Sequence, residues 1–197
     1  KQPMQRIMPA VQGSSYKSVI AMGASTGGTE ALATVLKALH PPLPGIVVVQ
    51  HIPPMFSRLF ADRLEAECSL TVSEAANGDL VEANHVYIAP GDQQMRVKGT
   101  KTLMRLECFH GERVNGHCPS VDVLFDSVAA AAGANALGVI MTGMGADGAR
   151  GLLKMRQAGA ETIGQDERSC VVYGMPRVAW EMGAVGCQLP LQAIAGA

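Results

Sequence analysis

Val19-Ile-Ala-Met-Gly-Ala-Ser-Thr-Gly-Gly28 is the stretch on which the reading of this chain turns. A short apolar run ends in a glycine-rich turn, and apolar residues then recur at Ala31, Leu32, Val35, Leu36 and Leu39 with helical spacing. The pattern predicts strand, sharp turn, helix. It repeats at Ile46 to Gln50, a β-branched run followed by Pro53, Pro54 and the amphipathic positions Phe56, Leu59, Phe60 and Leu64. A third copy runs from Leu137 to Thr142 through a glycine-rich turn into Leu152, Leu153 and Met155. Apolar strands alternating with helices predict an α/β fold, a mostly parallel, doubly wound sheet with helices on both faces.

The middle of the chain reads differently. Val86 to Ala89, Met95 to Lys98 and Leu103 to Cys108 are short strand-like segments separated by Pro-Gly and Lys-Gly-Thr turns, and an antiparallel hairpin is expected there, near one sheet edge. Pro119 and Ser120 open a helix carrying Val121, Leu124, Phe125 and Val128, with Ser120 placed to cap its first turn. Residues 1–15 hold prolines and polar residues without periodicity and read as a linker remnant, leaving 16–197 as one folded domain.

Composition narrows the function classes. The 197 residues are 48% hydrophobic, enough for a sizeable core, and sixteen Lys and Arg against seventeen Asp and Glu leave a net charge of −1. Such a balance carries no electrostatic footprint for nucleic acid or an anionic membrane. No apolar run approaches the roughly 18 residues of a membrane helix, so no membrane insertion is expected. Five cysteines with no C-x-x-C pair argue against a disulfide framework, and a reducing, cytoplasmic setting is expected. Histidines and cysteines lack ligand spacing, so neither a metal nor another cofactor is expected.

Chemistry gathers at the three turns. Gly23-Ala-Ser-Thr-Gly27 fits G-x-S-x-G in the strand-to-helix context which that motif requires, with glycines permitting a turn that exposes the Ser25 hydroxyl. An alternative is a glycine turn that caps a helix or cradles a phosphate, although the G-x-G-x-x-G spacing and the Gly-Lys-Ser/Thr ending are both missing. His51 directly follows the second strand. Asp147 lies in the third turn, Thr142-Gly-Met-Gly-Ala-Asp-Gly148, where capping of the following helix is the ordinary alternative. Three strand exits thus deliver one Ser, one His and one Asp to the same sheet edge, the set needed for a nucleophile, its base and the base's orienter. The chain order Ser, His, Asp departs from that of α/β-hydrolases. Backbone N–H groups at Thr26 and in the Met144 to Gly145 turn are the candidate oxyanion donors. A scaffold that keeps the fold without catalysis is the remaining alternative.

At this point the sequence resembles the catalytic domain of the bacterial chemotaxis protein-glutamate methylesterases. The resemblance rests on Gly23-Ala-Ser-Thr-Gly-Gly28, Gln50-His-Ile-Pro53, Val86-Tyr-Ile-Ala-Pro-Gly91, Pro119-Ser-Val-Asp-Val-Leu-Phe125, the 142–148 turn and Tyr173-Gly-Met-Pro176. It implies that Ser25 is the nucleophile, His51 the base and Asp147 the orienting carboxylate, with Thr26 and Met144 in the active site. It implies hydrolysis of glutamate γ-methyl esters on the cytoplasmic helices of methylated chemoreceptors, with release of methanol, and a related glutamine deamidation. It also implies an N-terminal receiver domain in the full-length protein; no receiver pattern precedes Ser18, and activity independent of phosphorylation is expected. Two positions depart from the family pattern: Gln94 stands where a histidine is frequent, and Cys118 where an arginine often precedes Pro119-Ser120.

Overall fold

Residues 16–197 are described by the structure, a computed structural model, and the expected linker at 1–15 lies outside them. The first two repeats of the strand-turn-helix pattern become β1 (Val19–Ala24) and α1 (Gly28–Ala38), then β2 (Gly45–Gln50) and α2 (Phe56–Glu67). The chain continues through β3 (Thr71–Glu74), β4 (His85–Ile88), β5 (Gln94–Thr100), β6 (Leu103–Phe109) and α3 (Val121–Ala132). The third repeat is β7 (Ala136–Ile140) with α4 (Ala149–Gln157), followed by β8 (Glu161–Gln165), α5 (Met175–Glu181), β9 (Cys187–Leu189) and α6 (Leu191–Ile194).

Seven strands form one parallel sheet in the order β3-β4-β2-β1-β7-β8-β9. Its central strands are sealed on both faces, and all six residues of β2 are buried. That is why they read as unbroken apolar runs rather than alternating ones. On one face Met22, Val48 and Ile88 pack against Leu32 and Leu36 of α1, Phe60 and Leu64 of α2, and Ile194 of α6. On the other, Ala21, Val47 and Tyr87 pack with Leu124 and Phe125 of α3, Leu152 and Met155 of α4, and Met175 of α5.

The hairpin forms from β5 and β6, with Gln94 opposite Phe109 at one end and Thr100 opposite Leu103 at the other. It stands as a separate two-stranded sheet, and its inward residues Met95, Val97, Met104 and Leu106 join the core cluster that includes α3. Val86 to Ala89 has a different fate from its neighbours. It supplies β4, parallel between β2 and β3, because Val86, Tyr87 and Ile88 are buried on both faces of the sheet rather than on one. The one-sided burial of β6, by contrast, is what an open hairpin needs.

Connections leave β1 and β7 in opposite directions. The chain from β1 goes through α1 on one face to β2, and the chain from β7 goes through α4 on the other face to β8. The carboxyl ends of β1 and β7 therefore flank a crevice of the kind in which open α/β sheets place their sites.

Close approach of α3 to α4 depends on Gly151: a Cβ there would lie 2.7 Å from Phe125 Cβ and 3.1 Å from Asp122 Oδ1. Gly151→Ala should therefore lower unfolding free energy by about 1–3 kcal/mol, despite the better helix propensity of alanine. Urea denaturation checks this, and an unchanged or raised stability would contradict it.

Candidate active site

Ser25 and His51 each follow directly on a register pair, Ala24 opposite Gln50, so they leave adjacent strands side by side. Their backbones are tied together. His51 N–H donates to Ala24 O at 3.2 Å, and the buried Gln50 side chain donates through Nε2 to Ser25 O at 2.8 Å and to His51 O at 3.3 Å. Ser25 N–H in turn donates to Thr142 O at 2.9 Å, which binds this turn to the exit of β7. Gly27 sits at φ 77°, a left-handed conformation that glycine adopts without steric cost. At Gly143 the reason for glycine is space, since a Cβ would lie 2.7 Å from Ser25 Cβ.

Asp147 is 1% exposed and its carboxylate collects five hydrogen bonds. Oδ2 accepts from His51 Nε2 at 2.7 Å and from Val121 N–H at 2.7 Å. Oδ1 accepts from Asn115 Nδ2 at 2.8 Å, Ser120 Oγ at 2.8 Å and Asp122 N–H at 3.2 Å. Burial works to raise this carboxyl, but the hydrogen bonds from His51, Asn115, Val121 and Ser120 outweigh it and hold the group down at about 2.

The same contacts correct two expectations. Ser120 occupies the N-cap position of α3, but its side chain makes no capping bond and donates to Asp147 instead. Asp147 does cap a helix, yet it is α3, through Val121 and Asp122, rather than α4, which follows it in sequence. A carboxylate suits that position because its charge is favoured at a helix N-terminus and its two oxygens reach two unpaired N–H groups.

An ionised carboxylate only accepts, so His51 Nε2 must donate, and in the neutral ring Nδ1 then carries the lone pair. Nδ1 is buried and has no protein partner among the described residues. Ser25 is half-buried, and its hydroxyl is not hydrogen-bonded to His51. The structure thus joins His51 to Asp147 directly and places Ser25 on the neighbouring strand exit, one strand spacing away.

Thr26 and Met144 are exposed beside Ser25, and Gly145 adopts φ 93°. Thr26 is anchored through its carbonyl, which accepts from Thr142 Oγ1 at 3.0 Å. The 143–145 turn is held by Gly143, whose N–H donates to Val172 O and whose carbonyl accepts from Gly174 and Met175. Among the described residues the N–H groups of Thr26, Met144 and Gly145 donate to no protein acceptor, which leaves them available to an incoming oxyanion.

Several participants carry no local signal in the sequence. Asn115, at φ 54°, bridges Asp147 Oδ1 and Asp122 Oδ2 with one amide nitrogen, at 2.8 and 2.7 Å. Burial raises the Asp122 carboxyl, and the nearby Asp147 charge adds to that. Gln94, one of the two departures from the family pattern, is buried and braces the loop that holds these groups: Nε2 donates to Glu112 O and His117 O, and Oε1 accepts from Ser120 N–H at 2.9 Å. Cys118, the other departure, lines a cavity of about 280 Å³ with His51, Asp92, Arg113 and His117.

Comparison with known proteins identifies the family and the fold. Residues 20–197 match the model of the CheB methylesterase family. The protein-glutamate methylesterase/protein-glutamine glutaminase 2 of Syntrophomonas wolfei is 60% identical over 176 residues, covering 89% of this chain and 52% of that protein. The protein-glutamate methylesterase/protein-glutamine glutaminase of Agrobacterium fabrum is 50% identical over 187 residues, covering 95% and 53%. The chain thus spans about half the length of the curated relatives it matches. The crystal structure of the Thermotoga maritima CheB methylesterase catalytic domain superposes with a TM-score of 0.87 at 36% identity, covering 91% of this chain and 96% of that one.

Because Asp147 titrates at about 2 in the fold and near 4 in an unfolded chain, it contributes stability above about pH 4 that is lost as pH falls toward 2. Asn115→Ala should cost about 1–3 kcal/mol at neutral pH by leaving Asp147 and Asp122 without their shared donor. It should also shift the acid-unfolding midpoint upward. Urea titrations between pH 2 and 7 check both, and identical curves for the two proteins would contradict them.

Proposed function

The chain belongs to the CheB methylesterase family, and we propose that it hydrolyses glutamate γ-methyl esters on the cytoplasmic helices of bacterial chemoreceptors through Ser25, His51 and Asp147. The observation that carries this reading is the 2.7 Å contact of His51 Nε2 with a buried, ionised Asp147, beside a serine held in a glycine turn at the next strand exit.

In this reading His51 Nδ1 accepts the Ser25 hydroxyl proton as Oγ attacks the ester carbonyl. The carbonyl oxygen becomes an oxyanion, met by the unpaired N–H groups at Thr26 and in the Met144 to Gly145 turn. Asp147 stays ionised throughout and stabilises the imidazolium that forms against it. Collapse of the tetrahedral intermediate breaks the bond to methoxide, which takes the proton from Nδ1 and departs as methanol. Water, deprotonated by the same nitrogen, then releases the glutamate and restores Ser25. A primary amide follows the same course with ammonia as leaving group, in keeping with the glutaminase activity in the relatives' names.

Relative to the standard serine-protease triad the two imidazole nitrogens exchange roles, with Nε2 toward the carboxylate and Nδ1 toward the nucleophile. Asp147 occupies Nε2, which leaves Nδ1 as the nitrogen that can serve Ser25, the residue after the neighbouring strand.

Methanol release from methylated receptor membranes tests the assignment. Ser25→Ala and His51→Ala should each lower kcat by about 10⁴-fold or more, with folding intact by circular dichroism. Wild-type turnover in either variant would remove the assignment. Asp147→Asn should lower kcat by about 10⁴-fold, because an amide no longer dictates the imidazole tautomer.

A further inference from the structure

His117 lies flat against the His51 ring, with centroids 3.6 Å apart and planes inclined by 7°. Among the described residues neither nitrogen of the His117 ring has a hydrogen-bond partner. Its polar ties run through the backbone instead. His117 and Val114 exchange N–H to O bonds of 2.9 Å in both directions, and Gln94 Nε2 donates to His117 O at 3.1 Å. The ring is thus held in place from behind and meets the catalytic histidine with its face.

Asp147 grips His51 at one atom, Nε2. One such bond leaves the imidazole free to tilt about the Nε2 to Oδ2 line, and rotation about the terminal torsion of histidine is soft. Tilting swings Nδ1 relative to Ser25, and a displacement of about 1 Å at a reacting atom costs on the order of 10²-fold in rate. A flat neighbour at stacking distance removes this freedom.

We propose that His117 is a positioning residue, whose stacked ring fixes the plane of the His51 imidazole and so aims Nδ1 at the Ser25 hydroxyl. The stack has a second consequence when His51 takes the proton, since an imidazolium is favoured against the face of an uncharged aromatic ring. Burial, followed by the proximity of His51, pushes the His117 imidazole below the usual histidine range, which keeps it uncharged beside its partner. The nearby Arg113 adds to this lowering, and Asp147 opposes it.

The proposal rests on Ser25 and His51 being the catalytic pair, so the test carries Ser25→Ala and His51→Ala alongside. Methanol release from methylated receptor membranes is measured for His117→Leu, His117→Ala and His117→Phe, with thermal unfolding of each. The two ring-less variants should lose roughly 10²-fold in kcat, with KM within about twofold of wild type and melting unchanged. His117→Phe, which keeps a flat ring and no charge, should stay within about fivefold of wild type. Wild-type kcat in a ring-less variant, an effect confined to KM, or equal impairment of the Phe and Leu variants would overturn the proposal. So would unfolding of both ring-less variants, which would make His117 a stability residue. Turnover surviving in Ser25→Ala or His51→Ala would instead overturn the catalytic assignment itself.

Discussion

A buried carboxylate with five donors is the interaction on which this architecture depends. Asp147 comes from the turn after β7, yet its partners come from the turn after β2, the loop before α3 and the first turn of α3 itself. Taking an ionised carboxylate out of water costs several kcal/mol, and such a group persists inside a protein only when its lone pairs are filled. Here two of the donors are N–H groups in the first turn of α3 and three are side chains from the turn after β2 and the 115–120 loop. The charge therefore acts as a junction: it fixes where α3 begins, how the 115–120 loop lies, and which nitrogen of His51 holds a proton.

The sheet supplies the other half of the constraint. β1 and β7 are neighbours whose connections depart to opposite faces, and the crevice between their ends must admit two turns at close range. Glycine makes this possible at Gly143, whose backbone lies against Ser25, and at Gly27, where the chain reverses into α1. Gln50 then locks the serine turn to the histidine turn from beneath. Ser25 and His51 thereby sit directly at strand ends and Asp147 in the turn after β7, an arrangement held more firmly than mobile loops would hold it.

What was legible in the sequence follows from this layout. Ser25, His51 and Asp147 each lie at or just beyond the exit of an apolar run, so local pattern alone marks them as candidates, and the sealed central strands announce a parallel sheet. The supporting groups were not legible in the same way. Asn115, Gln94 and His117 belong to a hairpin and a loop whose contacts span tens of residues, and no spacing rule connects position 94 to 120 or 117 to 51. Ser120 looked like a helix cap by its place, and only the three-dimensional arrival of Asp147 reassigns that task. β3, β8 and β9 are short, and β8 carries buried polar residues at Thr162 and Gln165, which blurs the apolar signal that marked β1 and β2.

Asp147 sets the tautomer of His51 and leaves the lone pair on Nδ1. Nitrogen-15 NMR of the histidine rings at neutral pH, with His51 assigned by its loss in His51→Gln, measures this most directly. The bond to Asp147 predicts a proton on Nε2 and an unprotonated Nδ1 in the uncharged ring. A neutral His51 carrying its proton on Nδ1 would contradict it.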